Sequence, residues 1–406
     1  MSGYLVTGGT SFVGRRVVEE LLAADPDAVV HIVLNRNSGT ERAVFCEYWH
    51  DDQRVSALVA NPSGNRLRLH DTPPAVAHVI HAGAIADLSQ EDSAAAAATV
   101  DGTRAAIELA TELGATLHHL SSVVVAGDHR GQFFEDDFDL GQNFRSSRHR
   151  AVFDAERLVR ESTGLRWRIY RTALVVGDSH TGAVDRAAGP YQIFEAIAKL
   201  STLPGGLTLP LPDYGSTNIV PVDYVAGAVA ELVRRPGLNK RTFHLVNPRP
   251  QTFSEIYHAL LRAAGAPQQL PHTALRVLTR LPGVAAARDL LLAQLGVPAE
   301  ILAQMSVAAN FVCDTTRAML RRTPLEVPEF GRYADALWDY WRAHLSPHRP
   351  AEPLEPAPEP SPAAAIRPRA ERNGRSAGSA HLRLIKGSKT ESSGPRPELV
   401  SVESRF

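Results

Sequence analysis

The segment Val6-Thr7-Gly8-Gly9-Thr10-Ser11-Phe12-Val13-Gly14 decides the fold of this chain. A short apolar run precedes the glycines, and after them apolar residues recur at helical spacing, at positions 13, 17, 18, 21 and 22. Strand, glycine-rich turn and helix in this order favour a phosphate-binding loop, because the first turn of a helix presents unpaired N–H groups and the positive end of a dipole. The segment therefore predicts dinucleotide binding, with an ordinary strand–helix turn as the alternative.

Residues of the turn have separate predicted roles. Gly8 permits the tight turn, and Gly14 lets the helix pack closely against the strand. Ser11 stands where a glycine usually lets the backbone approach the phosphates, so its hydroxyl is expected to donate to a phosphate oxygen instead. The candidate dinucleotide-binding residues of the segment are Thr7, Gly8, Thr10, Ser11, Phe12, Val13 and Gly14.

The next predicted strand indicates which dinucleotide fits. Residues 28–34 are almost continuously apolar, which is typical of a parallel strand buried on both faces, and Asn35 and Arg36 follow them. A carboxylate at this point would bind the ribose of NAD, whereas a cation suits the 2′-phosphate of NADP. Arg36, with no carboxylate competing, predicts NADP over NAD. A solvent-exposed charge at a strand end is the alternative for Arg36.

Strands and helices continue to alternate as far as residue 178. We predict helices over residues 40–60, 94–113 and 148–161, and strands over 66–70, 76–82, 116–125 and 166–176. This alternation predicts an α/β fold with a doubly wound parallel Rossmann sheet. After two of the strands, Asp71 is expected to meet the adenine, and Ala82, Gly83 and Ala84 leave room for a flat ligand.

Three regions are predicted along the chain. Residues 1–178 form the dinucleotide-binding domain, which returns around 215–250 with strands at 218–222 and 242–246 and a helix at 223–235. Residues 179–346 form a smaller, mostly helical substrate-binding region with helices at 253–264 and 275–304. Residues 347–406 are rich in proline and almost lack aromatic residues, so a disordered tail is predicted there.

Composition limits the classes of function. With 44% apolar residues, 21% charged residues and a net charge of −1, the chain gives no reason to expect a nucleic-acid partner. Cys46 and Cys313 are isolated, so neither a disulfide framework nor a metal site is predicted. A first strand close to Met1 and the lack of a long apolar run predict a cytoplasmic protein without a signal peptide or a membrane span.

Further segments give the chain a resemblance to extended short-chain dehydrogenase/reductases, and more narrowly to their thioester-reductase and fatty-acyl reductase branch. With the glycine turn and Arg36 they extend over residues 3–346: Thr99-Val100-Asp101-Gly102-Thr103, His119-Leu120-Ser121-Ser122, residues 170–182, Gly189-Pro190-Tyr191, Val220-Pro221-Val222-Asp223 and Leu337-Trp338-Asp339-Tyr340-Trp341. The resemblance implies NADP-dependent reduction of an acyl thioester or related carbonyl compound. It also implies a small acyl or lipid-like substrate and a monomer or dimer.

The resemblance assigns four catalytic positions. The family uses Ser, Tyr and Lys with a supporting Asn, and the Tyr supplies a proton while the Lys lowers its pKa. When Ala155-Glu156 is aligned with the family pattern Tyr-x-x-Ser-Lys-x-x-Ala-Glu, Arg148 stands at the Tyr position and Val152 at the Lys position. Thr99 stands at the Asn position, and Ser122 is the retained serine.

These replacements predict impaired hydride transfer, because arginine does not release its proton near neutral pH. The first hypothesis is an NADP-binding protein of this branch that acts as a sensor, scaffold or partner subunit. The second is a working reductase in which His149, or Ser122 with water, supplies the proton. The third is a non-redox enzyme on the same scaffold, in which Arg148 clamps an anionic substrate. The default alternative for Arg148 is a helix residue that is paired or solvated at a vacated site.

Overall fold

The structure is a computed structural model that describes residues 3–63, 66–69, 75–83, 93–185, 191–201, 216–265 and 306–347. The chain divides into Met1–Ala351 and Glu352–Phe406, and every described residue belongs to the first unit. The predicted helix at 275–304 and nearly all of the predicted tail lie outside the described residues, as do Asp71 and Ala84. The boundaries of the three predicted regions therefore remain predictions.

The described strands and helices alternate as the sequence predicts. The strands are β1 (Gly3–Thr7), β2 (Val29–Asn35), β3 (Val55–Ser63), β4 (Arg66–Leu69), β5 (His78–His81), β6 (Thr116–Ser122), β7 (Gly131–Phe133), β8 (Trp167–Thr172), β9 (Leu174–Val176), β10 (Ser216–Thr217), β11 (Ile219–Pro221), β12 (Arg241–Leu245), β13 (Gln251–Thr252) and β14 (Ala309–Phe311). The α-helices are α1 (Phe12–Ala24), α2 (Gly39–Trp49), α3 (Ser93–Glu112), α4 (Ser147–Glu161), α5 (Gln192–Ser201), α6 (Val222–Arg234), α7 (Phe253–Ala263), α8 (Asp314–Leu320) and α9 (Ala334–Tyr340).

The main sheet has the strand order β12-β8-β6-β5-β1-β2-β3-β4. Seven of its eight strands run parallel, and β4 is an antiparallel strand at one edge. The predicted doubly wound parallel α/β fold is confirmed. Tyr4 and Val6 on one face pack in a core with residues of α1 and α6. Leu5 and Leu117 on the other face pack with residues of α3 and α4.

Four predicted elements have different limits in the structure. The helix predicted over 40–60 ends at Trp49, because Asp52 accepts from the Arg54 N–H in a turn that follows it. Its second half is strand β3, whose partly apolar residues pair with β2. The strand predicted at 66–70 pairs antiparallel with β3 rather than lying inside the parallel sheet. The strand predicted at 116–125 ends at Ser122 and continues as a 3₁₀ turn, Val123–Ala126.

The fourth correction concerns the strand predicted at 166–176. It divides at Ala173 into β8, in the main sheet, and β9, which pairs with β11 in a separate two-stranded sheet. The division carries the chain out of the main sheet towards a second apolar core, formed mainly by α5, α7 and α9. A small cavity in that core is lined by apolar side chains, including Val176, Phe194 and Leu337. Within the described ranges, no helix combines the length and apolarity needed to cross a membrane.

Candidate functional site

The glycine turn between β1 and α1 is closed by its own backbone and by one hydroxyl group. Gly8 has a φ of 71°, and a Cβ at this position would lie 2.7 Å from the backbone nitrogen of Gly83. Ser11 Oγ donates to the Gly8 carbonyl at 2.7 Å and accepts from the Gly14 N–H at 3.2 Å. Because a hydroxyl has one hydrogen, the expected donation from Ser11 to a phosphate is not available in this arrangement.

The first turn of α1 supplies the donors that Ser11 does not. Ser11 is the N-cap, and the following amides of Phe12 and Val13 have no intrahelical acceptor, as at the start of every helix. A Cβ on Gly14 would collide with the Gly8 carbonyl oxygen, so the helix begins directly against the turn. No acidic side chain lies in this turn. These N–H groups and the helix dipole together favour a bound pyrophosphate.

Arg15 is a residue at this turn that the sequence analysis did not single out. Its side chain is buried, pairs with Asp185, and places its guanidinium carbon 4.3 Å from the centre of the Tyr48 ring. Its Nη1 lies 3.5 Å from the Thr10 carbonyl oxygen. Arg15 therefore ties the turn to α2 and to the segment after β9. The periodic apolar pattern of α1 conceals this residue, because the pattern predicts an exposed arginine.

A carboxylate of α2, which the sequence analysis missed, reaches the end of β2. Asn35 and Arg36 are exposed there, and the backbone N–H of Asn35 donates to Glu41 Oε2 at 2.7 Å. Ser38 caps α2 by accepting from the Glu41 N–H at 3.2 Å, and Arg42 Nη2 lies 3.5 Å from the Arg36 carbonyl oxygen. A carboxylate therefore does lie at the end of β2, contrary to the prediction that none competes with Arg36. The pattern Ser38-x-x-Glu41 is a helix-start signal and could have revealed it.

The turn after β5 forms the wall opposite the glycine turn. Ala82 is buried and its N–H donates to the Thr7 carbonyl at 2.9 Å, whereas Gly83 is exposed. The structure thus brings together Thr7, the glycine turn and two of the three small residues predicted at this wall. The third small residue, Ala84, and the predicted adenine contact Asp71 lie outside the described residues.

Beneath the turn, Thr7 belongs to a buried polar row that crosses three strands. Thr7, His81 and His119 are in register on β1, β5 and β6. Thr103 Oγ1 donates to the Thr99 carbonyl at 2.9 Å, so it must accept from His81 Nε2 at 3.2 Å. His81 Nδ1 then accepts from Thr7 Oγ1 at 2.7 Å. Burial lowers the pKa of His81 to about 3, which agrees with this neutral ring.

His119 differs from its neighbour in the same row. Its ring stacks on His81 with 5.5 Å between centroids, yet neither ring nitrogen has a hydrogen-bond partner among the described residues. Burial lowers the pKa of His119 to about 4, although the charge of Glu156 opposes the shift. His119 is therefore a neutral, buried ring whose desolvation is uncompensated within the described part of the chain.

At two of the predicted catalytic positions, Ser122 and Thr99, the side-chain hydroxyl forms a hydrogen bond with nearby backbone. Ser122 ends β6, is 7% exposed, and accepts from the Val124 N–H at 3.4 Å. Thr99 Oγ1 donates to the Ala95 carbonyl at 3.0 Å, one turn earlier on α3. The Thr99 hydrogen is thus used within its own helix, and the position does not offer the two donors of an asparagine amide.

The other two positions lie on one stripe of α4. Arg148, Val152 and Glu156 are spaced four residues apart and all three are buried.

The described lysines are elsewhere: Lys199 pairs with Glu195 on α5, and Lys240 precedes β12, where its N–H donates to the Trp167 carbonyl. No described tyrosine and lysine share the spacing of the family pattern on α4. In the predicted alignment, Arg148 and Val152 stand at the phenol and amine positions of the pattern, and both side chains are buried.

His149, the candidate substitute acid, is buried beside two cations. Burial, followed by the charges of Arg145 and Arg148, lowers the pKa of His149. At neutral pH the ring is therefore less able to hold a proton for donation than an exposed histidine. This environment argues against His149 as a general acid.

Further along the same stripe, Glu156 is the centre of a buried network of hydrogen bonds and ion pairs. The sequence analysis used this residue only to align the helix with the family pattern. Glu156 Oε2 accepts from Ser121 Oγ at 2.7 Å, and Glu156 Oε1 accepts from Arg171 at 2.7 Å and from Arg160 at 2.8 Å. Burial alone would raise the pKa of Glu156, but the two guanidinium groups outweigh it and lower the pKa to about 2. Arg171 also lies 3.1 Å from His244 Nε2. The network joins α4 to β6, β8 and β12.

Sequence comparison places most of the described core in one family. The model of the family described as "Male sterility protein" matches residues 6–229. Glycine betaine reductase ATRR from Emericella nidulans is 26% identical over 283 residues, which are 63% of this chain and 22% of that protein. A linear gramicidin synthase chain from Brevibacillus parabrevis is 25% identical over 279 residues, covering 63% of this chain and 5% of that protein. The present chain spans less than a quarter of either relative.

A solved structure shares the fold over a larger part of the chain. The terminal R domain from the myxalamid PKS-NRPS biosynthetic pathway superposes with a TM-score of 0.64 at 24% identity, covering 85% of this chain and 91% of that chain. Within the residues that the structure describes, no group of three or more His, Cys, Asp or Glu side chains is placed to hold a metal ion.

Proposed function

The chain belongs to the male sterility protein family of extended short-chain dehydrogenase/reductases, and from this premise we propose that it binds NADP while lacking the proton donor of a working reductase. The family assignment confirms the resemblance that the sequence motifs predict. An NAD(P)-binding, reductase-like fold follows from it. The preference for NADP, the impaired chemistry and the ligand are our proposals.

The glycine turn fits the pyrophosphate of a dinucleotide. A Cβ does not fit at Gly8 or at Gly14, because the backbone of Gly83 lies against Gly8 and the Gly8 carbonyl lies against Gly14. The first amides of α1 are available as donors. At the end of β2, Arg36 and Arg42 are exposed and suit a 2′-phosphate, whereas the Glu41 carboxylate is already accepting from the Asn35 N–H. We therefore keep NADP over NAD. When bound, this cofactor supplies or accepts a hydride.

The observation that carries the proposal of impairment is the pair of residues on α4. A guanidinium stays protonated near neutral pH, so Arg148 cannot hand a proton to a substrate oxygen. Val152 cannot lower a neighbouring pKa or donate to a ribose hydroxyl. Loss of a general acid lowers a rate by about 10²–10⁴-fold. The scaffold thus supports binding of the dinucleotide and a carbonyl ligand with little turnover.

The names of the relatives suggest the class of ligand. One relative is a glycine betaine reductase, and the structural relative is an R domain of a PKS-NRPS pathway. We propose an acyl or other carbonyl compound, in the form of a thioester for an R-domain-like role, and the cytoplasm as the compartment. The oligomeric state is proposed as a monomer or dimer.

A fluorescence titration tests cofactor binding and a turnover assay tests impairment. Purified chain is titrated with NADPH and with NADH, and NADPH consumption is then followed with hexanoyl-coenzyme A as the acyl thioester. We expect saturable binding that is tighter for NADPH, together with no measurable consumption of NADPH above background. Robust hydride transfer would overturn the impairment, and equal binding of the two dinucleotides would overturn the NADP preference.

A double replacement sharpens the assay. Arg148→Tyr combined with Val152→Lys restores the family pattern on α4, so it is expected to produce turnover that the parent chain lacks. The matched control combines Arg150→Tyr with Asp154→Lys on the exposed face of the same helix. Turnover in the control would show that the gain is unrelated to the cleft.

A further inference from the structure

We propose that the start of α4 binds a ligand oxyanion, a carboxylate or a phosphate, through the guanidinium of Arg148. The proposal deepens the proposed function, on which it rests for the position of the cleft beside the cofactor. It assigns an anionic ligand class to the place where the family pattern has a proton-donating tyrosine.

The first observation is the isolation of Arg148. The residue is 6% exposed, and its Nε is buried without a hydrogen-bond partner. Among the residues that the structure describes, no carboxylate lies within ion-pair distance of this side chain. Burying a cation without a counter-charge carries a desolvation cost that such a group ordinarily offsets by pairing.

The other buried arginines show how this chain normally offsets that cost. Arg171 pairs with Glu156, and Arg15 pairs with Asp185. Arg168 has no carboxylate, but its guanidinium donates to three backbone carbonyls, among them Val233 at 3.1 Å and Arg235 at 2.7 Å. Among the described residues, Arg148 has neither a carboxylate partner nor a backbone carbonyl acceptor. Its partner is therefore inferred to be a bound ligand.

The second observation is the field around Arg148. It occupies the first turn of α4, a helix of 15 residues whose N-cap is Ser146 and whose first turn contains no acidic residue. Arg145 and Arg148 together help to lower the pKa of His149, so both cations lie close to that ring. The helix dipole adds positive potential at the same end. This arrangement repels further cations and attracts an anion.

The third observation is the direction of the side chain. Arg148 shares the stripe of Val152 and Glu156, and Glu156 Oε2 contacts Ser121 on β6. In a parallel α/β unit the helix runs against the strands, so the start of α4 lies beyond the carboxyl ends of β6 and β8. That edge also contains Ser122 and the glycine turn. An oxyanion on Arg148 would therefore lie at the edge of the sheet where ligands of this fold bind.

The chemistry of guanidinium selects the ligand class. Its planar fork of donors matches two oxygens of a carboxylate or a phosphate, and charge-assisted hydrogen bonds are about twice as strong as neutral ones. A thioester carbonyl offers one neutral oxygen and leaves the cation uncompensated. The site thus favours a carboxylate or phosphate group of the ligand over its neutral carbonyl, so the proposed carbonyl ligand is expected to carry such a group.

Calorimetric titration with an isosteric pair tests the proposal on the full chain. Hexanoate and hexanamide have the same shape and differ in charge, and inorganic phosphate is the third probe. We expect hexanoate or phosphate to bind roughly tenfold or more tightly than hexanamide, with competition between the two anions. Whichever anion binds more tightly identifies the source of the oxyanion. Equal binding of hexanoate and hexanamide, with no binding of phosphate, would overturn the proposal.

Variants distinguish a specific contact of the anion with Arg148 from a general effect of positive charge on α4. Arg148→Gln is expected to abolish the preference for the anion, and Arg148→Lys to retain part of it. Arg150→Gln removes the same charge from an exposed residue of the same helix that pairs with Asp154 at 3.0 Å, and it is expected to retain the full preference. An equal loss in Arg148→Gln and Arg150→Gln would also overturn the proposal.

NADPH titration of the same samples keeps the two proposals apart. Anion preference without NADPH binding supports the oxyanion site and removes the proposed cofactor. NADPH binding without anion preference supports the cofactor and removes the oxyanion site.

Discussion

Each half of α4 buries a charged side chain, but only the side chain in the C-terminal half is paired with opposite charges. Towards its C-terminal end, Glu156 is fully buried and is contacted by Arg171, Arg160 and Ser121. At its N-terminal end, Arg148 is nearly as buried and has no carboxylate partner among the described residues. The comparison separates a charge that belongs to the architecture from one that is left for a ligand. It also says where substitutions should damage folding and where they should damage binding.

Breaking the paired half should have the largest effect. Glu156→Gln leaves Arg171 buried without its counter-charge, so we expect the free energy of unfolding to fall by about 3–5 kcal/mol. Urea denaturation followed by circular dichroism measures the change. The double variant Glu156→Gln with Arg171→Met removes both charges and should recover part of the loss. A single variant as stable as the parent would show that the network is not structural.

The buried histidines should make stability fall in acid. Burial lowers the pKa of His119 to about 4, while the unfolded chain binds this proton near the ordinary value of 6.5. The unfolded state therefore holds more protons between these values, and stability is lost as pH falls from 6.5 towards 4. The slope for this one group is about 1.4 kcal/mol per pH unit.

A histidine variant tests that origin of the pH dependence. His119→Phe keeps a ring on His81 and removes the titration, so its stability should depend less steeply on pH over the same interval. Urea titrations at several pH values measure the two slopes. Identical slopes for His119→Phe and the parent would reject this explanation.

Removing the unpaired cation should change stability in the other direction. Arg148→Met replaces a buried, uncompensated charge by an apolar side chain of similar length, so we expect the free energy of unfolding to rise by about 1–2 kcal/mol. Thermal unfolding in a buffer without phosphate or carboxylate measures it. Arg150→Met, at an exposed ion pair, should change stability by less than about 0.5 kcal/mol. A destabilised Arg148→Met would mean that Arg148 is structurally satisfied.

The smallest effect is expected at the exposed cations near β2. Arg42 is exposed beside the Arg36 carbonyl, so Arg42→Gln should weaken NADPH binding by a few-fold through loss of one screened interaction with the 2′-phosphate. The binding of NADH, which lacks that phosphate, should not change. Fluorescence titration with both dinucleotides measures the ratio. A parallel loss for NADH would place Arg42 elsewhere than at the 2′-phosphate.

Sequence patterns predicted the helices and strands correctly where the local preference of the residues agrees with their tertiary packing. The glycine turn and α1 followed from the glycine spacing and the apolar periodicity, and the structure shows that a Cβ on Gly8 or Gly14 would collide with backbone. The parallel sheet followed from the alternation of strands and helices. The helix predicted over 40–60 failed after Trp49, because the partly apolar run that follows suits either period and its pairing with β2 decided for a strand. Glu41 was missed because a helix-start pattern was not applied to the end of β2.

The sequence by itself determined the α/β fold and the family, and it predicts which residues occupy the catalytic positions, because these depend on spacing along the chain. Only the tertiary structure decided that Glu156 is paired, that His81 is satisfied on both nitrogens, and that Arg148 has no partner among the described residues. The reason is physical. Burial and pairing of a charge depend on groups distant in sequence, and these set the cost of desolvation that separates a structural residue from one available to a ligand.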